Sequence, residues 1–80
     1  MSTSATFSPA TQLDARVPGL VFHAVRPGLW RVANASGSVR GHIERASASE
    51  SYIARQSLGG ARSRELGSFW NAQAAAESFA

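Results

Sequence analysis

The sequence predicts an α+β domain, a three- or four-stranded antiparallel sheet packed on one C-terminal helix. Three observations carry this expectation. Val39-Arg40-Gly41-His42-Ile43-Glu44-Arg45 alternates with the period of a half-buried strand. Short runs rich in apolar residues lie before and after it, separated by the turn residues Pro27-Gly28, Asn34 to Gly37 and Gly59-Gly60. Near the end, Asn71 precedes an alanine-rich segment in which Ala72, Ala75, Ala76 and Phe79 fall at i, i+3, i+4 and i+7. That spacing marks one face of a helix.

Taken in chain order, residues 1–19 read as a mostly disordered N-terminal tail and residues 20–80 as a single sheet–helix domain. Residues 1–10 are Ser, Thr, Ala and Pro with one aromatic, Phe7, and show no periodicity. Leu13 to Val17 has the makings of one turn, which Pro18-Gly19 stops. Leu20 to Val25 is a strand ending at the turn Arg26-Pro27-Gly28. Leu29 to Ala33 is the next, with Trp30 and Val32 on one face and Leu29, Arg31 and Ala33 on the other. Asn34 to Gly37 turns the chain into the alternating strand, which puts Val39, Gly41 and Ile43 on one face and Arg40, His42 and Glu44 on the other. Ala46 to Ser51 is a small-polar loop and Tyr52 to Gln56 a further strand, broken by Gly59-Gly60. The polar segment Ala61 to Glu65 is open between loop and strand. Leu66, Phe69 and Trp70 are expected to fill the seam between helix and sheet. An alanine face lets the helix approach closely, and a helix this short must dock to persist.

Composition limits what such a domain does. The chain has 80 residues and 44% apolar content, but 15 of the apolar residues are alanine, so 20 large ones must build the core. A core that thin leaves little room for an enclosed pocket. There is no cysteine, which removes disulfides, thiolate metal sites and a thiol nucleophile. His23 and His42 are 19 residues apart without a recognised metal spacing, so no metal and no cofactor are expected. No Gly-x-Ser-x-Gly elbow and no Gly-Lys-Ser/Thr phosphate loop occurs, and catalysis is not expected. No wholly apolar run exceeds three residues and no charged and apolar leader follows Met1, which points to a cytoplasmic protein without a membrane partner.

Gly37 followed by five residues and Ile43, Leu66-Gly67-Ser68-Phe69, and then Asn71-Ala72, Ala75-Ala76 and Phe79 resemble the DNA-binding domain of plant ethylene-response factors. The arm-binding N-terminal domains of tyrosine-type phage integrases share that plan. The hallmark is a strand ending in Leu-Gly-Thr-Phe, followed by a capped, alanine-rich helix that ends in an aromatic. The resemblance spans about Leu29 to Phe79 and implies a three-stranded sheet backed by a helix, with DNA on the open sheet face and a bacterial or phage source. The contact positions it implies are Ser38, His42, Glu44, Ser63 and Glu65, where two acids stand in place of arginine and tryptophan.

The residues themselves point to nucleic acid by another route. All 8 basic residues are arginine, against 5 acids, for a net charge of +3. Arginine suits phosphate forks and stacking. If Val39, Gly41 and Ile43 face the helix, Arg40 and His42 face solvent, joined by Arg31 and Arg55 from neighbouring strands. Such a face meets phosphates or enters a major groove, and Arg62 and Arg64 on the adjacent segment add backbone contacts. The expected function is therefore a small non-catalytic module binding duplex DNA. The alternative is a protein-interaction or homodimerising module that uses a strand edge and Trp70.

Overall fold

A computed structural model describes residues 12–46 and 51–80. The expected tail over residues 1–10, and most of the loop expected between Ala46 and Ser51, lie outside these described residues.

Among the described residues the sheet has five strands rather than three or four: β1 (Leu20–Arg26), β2 (Leu29–Asn34), β3 (Val39–Ala46), β4 (Ser51–Gly59) and β5 (Arg62–Phe69), followed by α1 (Ala72–Glu77). Every strand pairs antiparallel with its sequence neighbour, in spatial order β1-β2-β3-β4-β5. The turns are the ones the sequence marks. Asn34 organises the β2–β3 connection with its side chain, whose Oδ1 accepts from the Ser36 amide at 3.1 Å and the Ser38 amide at 2.9 Å. Gly37 follows with φ +92, a region that favours glycine.

One face of the sheet carries the core. Phe22, Trp30, Val32, Ile43 and Ala54 are buried there, with Val32 and Ile43 fully enclosed. Trp30 packs beside Tyr52 with ring centroids 6.2 Å apart. The helix lies against β4 and β5 on this face, with Ala72, Ala75, Ala76 and Phe79 buried as their spacing predicts. Its start is fixed by Asn71, whose Oδ1 accepts from the Ala74 amide at 2.8 Å. Gly41 is required by close approach: a Cβ there would run into the Arg55 carbonyl oxygen and lie 2.7 Å from the Phe79 ring.

Two expectations change and one open segment is assigned. The packed unit begins before Leu20, because Leu13 is buried in the same core cluster as Phe22 and Trp30. The segment is tied to the helix by the Gln73 amide, which donates to the Arg16 carbonyl and accepts from the Arg16 amide, both at 2.8 Å. Residues 62–65 are strand, paired with β4. Leu66 and Phe69 pack against the core, but Trp70 is 88% exposed, since the bend at Trp70 and Asn71 that starts the helix carries it away from the seam.

Two substitutions test this packing. Ala75→Glu places a charge on a fully buried position with no room to pair, and thermal melting should show the cooperative transition lost. Leu13→Ala should lower stability by about 2 kcal/mol or more in denaturant unfolding, whereas a mobile segment would leave it unchanged.

A candidate anion-binding sheet face

With the helix and the Leu13 segment on one side, the other face of the sheet is free of cover among the described residues. Strand register decides what stands on it. His23 lies opposite Arg31, Arg31 opposite His42, His42 opposite Arg55 and Arg55 opposite Glu65, so one row of five side chains crosses all five strands. The alternate positions Trp30, Ile43 and Ala54 are buried beneath. A period of two therefore sends Arg31, His42 and Arg55 outward together. Beside this row runs a second, in which Leu29, Glu44, Ile53 and Ser68 are paired across strands. Leu29 and Ile53 are half-buried and stand on either side of Glu44.

Glu44 holds two of the arginines. Its carboxylate lies 3.2 Å from Arg55 Nη1 and 3.4 Å from Arg26 Nη2. All three side chains are well exposed, so these pairs orient the guanidinium groups and add little stability. Arg31 and Arg62 have no carboxylate within pairing distance among the described residues. The tip of the β4–β5 hairpin borders the row. Arg62 and Ser63 line a shallow cleft of about 390 Å³ together with Leu29, His42, Arg55 and Ser57.

Partial burial, and then the charge of Arg31 opposite it, hold the His42 imidazole below the ordinary histidine value of 6.5. Glu44, two residues along β3 from His42, is committed to Arg26 and Arg55.

Of the residues expected on this face, Arg31, His42 and Arg55 come together and Arg62 stands at the rim. Arg40 does not join them. Val32 pairs with Gly41 and Ala33 with Val39, which leaves Arg40 as the extra residue of a bulge. Its Nη2 donates to the Phe79 carbonyl at 3.4 Å, next to the helix end. Arg64 is also elsewhere: it lies opposite Gln56, in the row that contains Val32 and Gly41 on the helix side, and donates to Gln56 Oε1 at 3.2 Å. Sequence reasoning missed His23, whose outward position follows from the burial of Phe22, and Arg26, which only the Glu44 contact brings in.

Trp70, the anchor of the alternative reading, is exposed beside the end of edge strand β5, where it borders a cleft with Ser51, Ser68 and Phe69. Among the described residues no three metal-ligating side chains come together, and no helix is long and apolar enough to cross a membrane. Comparison with protein-family models, curated proteins and solved structures finds no match.

The His42 environment has a measurable consequence. With its native value lowered, the folded chain binds fewer protons than the unfolded chain once pH drops through 6.5. Stability should be unaffected by His42 above about pH 7.5 and should fall as pH decreases through the range below 6.5. Denaturant unfolding of wild type and His42→Gln at pH 8 and pH 5.5 should show a smaller acid loss in the variant.

Proposed function

We propose that the domain is a small non-catalytic module that binds the phosphate backbone of duplex DNA through its open sheet face. The observation that carries this reading is the cross-strand run Arg31–His42–Arg55, flanked by Arg62. Three adjacent strands span two strand spacings, about 10 Å, which suits the ~12 Å width of a B-DNA major groove. Arginine supplies the donor geometry for phosphate. The resemblance to ethylene-response-factor domains implies the same face, because the open sheet face meets DNA in that family. Glu44 and Glu65 on the same face weaken the local field, so the binding is modest and backbone-directed.

Each phosphate contact releases counterions, so log affinity falls with log salt at about −0.9 per contact. Two to three contacts give a slope of roughly −2 to −3. Arg31→Ala should flatten the slope by about one unit, while Arg64→Ala, on the other side of the sheet, should leave it unchanged. Absence of binding at about 50 mM salt and micromolar protein would end this reading.

The second reading is a protein-interaction or homodimerising module, favoured by the exposure of Trp70 beside edge strand β5. A large exposed aromatic next to a free strand edge is a common anchor for a partner. Under this reading sedimentation shows a mass above the monomer that Trp70→Ala restores to monomer, and salt has little effect.

A further inference from the structure

The cleft at the rim of the open face has a composition of its own. Register brings the side chains of Arg55, His42, Ser57 and Ser63 to this end of the open face, and Leu29 with the hairpin tip at Gly60, Ala61 and Arg62 completes the lining of about 390 Å³. Among the described residues no carboxylate lines it. Glu44 engages Arg55 through Nη1 at 3.2 Å, which leaves the rest of that planar donor fork for another acceptor. The cleft is cationic, rich in donors and shallow, which suits a compact tetrahedral oxyanion far better than an apolar ligand.

His42 stands at the join between this cleft and the central row. The groups that face it are Arg31 from β2, Arg55 from β4, Glu44 along β3 and Arg62 from the hairpin tip, with His23 and Glu65 at the two ends of its row. In the free protein partial burial, and then the positive charge of Arg31, make the imidazole harder to protonate than an ordinary histidine. A phosphate oxygen in the cleft reverses the balance, since it brings negative charge to the imidazole and a lone pair to accept its N–H. We infer that the cleft formed by His42, Ser57, Arg55, Arg62 and Ser63 is a phosphate-binding site, and that occupying it transfers one proton from solvent to His42. The site thereby couples anion binding to pH. This inference rests on reading the open face as anion-binding, and it names the group that the face holds most closely.

The proton balance fixes the sign. The bound state carries one more proton than the free state between the free and bound titration points of His42, so affinity rises as pH falls through that range. Phosphate on free polyphosphate and phosphate in a nucleic-acid backbone share this chemistry, and two probes separate them. Inorganic tripolyphosphate and a random duplex are titrated into the full chain at fixed ionic strength, at pH 8 and pH 5.5, while NMR follows the His42 imidazole. Tripolyphosphate should bind about fivefold or more tightly at pH 5.5 than at pH 8 and should move the His42 titration upward by about one pH unit. His42→Gln should lose most of the gain between pH 8 and pH 5.5, Arg62→Ala should weaken binding at both, and Glu44→Gln should strengthen it. A His42 titration that does not move on saturation, or a pH gain that survives in His42→Gln, overturns the inference. Tripolyphosphate binding with this signature but no duplex binding supports the site and removes the DNA reading. Duplex binding with its salt slope but no His42 response does the reverse.

Discussion

The structure depends on how closely a short alanine helix can approach a sheet. Three of the helix's buried side chains, those of Ala72, Ala75 and Ala76, are single methyl groups. They make useful contact only if the backbone they approach is itself nearly bare. The sheet supplies that surface: Ala54 is fully buried, and Gly41 stands where a Cβ would strike Phe79 at 2.7 Å. Dispersion falls away quickly with separation, so a larger residue at either place would prise the helix off and expose Ile43 and Val32 together. Leu13 extends the cover beside the helix, and the paired hydrogen bonds between Gln73 and Arg16 join the two parts. One side of the sheet is thereby closed, and whatever the chain recognises through the sheet must use the other.

Much of this was legible in the sequence because it rests on local periodicity. The alternation through His42 and Ile43, the Asn71 cap and the alanine face each follow from a spacing of two or of three and four. What was not legible lies where local pattern and environment part company. Strand β5 begins Arg62-Ser63-Arg64-Glu65, all exposed, so its hairpin end has no buried face to impose alternation, and its existence depends on backbone pairing with β4. Leu13, Ala15 and Val17 alternate with polar residues over only five positions and form no strand, so their packing on the core is a matter of tertiary contact. Trp70 was assigned to the seam on size, but the bend that begins the helix carries it into solvent.

The candidate site shows the same division. Arg31 and Arg55 were readable as outward because Trp30, Val32 and Ala54 are inward. That they sit on either side of His42 is a matter of register between strands, which no single strand records. Arg40 shows the limit most clearly. A period of two places it beside His42, and one bulged residue between Val39 and Gly41 turns it to the helix end instead. The face that results is less cationic than the count of arginines suggests, with Glu44 shared between Arg26 and Arg55. Around it, Arg31 and Arg62 have no acid paired with them among the described residues.

The central claim is that recognition belongs to the open face, and the absence of lysine makes it directly measurable. All 8 basic side chains are arginine, so a dicarbonyl reagent selective for guanidinium groups, read by mass spectrometry, reports each one separately. In the presence of duplex DNA, Arg31, Arg55 and Arg62 should be protected while Arg16 and Arg64 react as in the free protein. Equal reactivity at all sites with and without duplex, or protection confined to Arg16 and Arg64, would contradict the account.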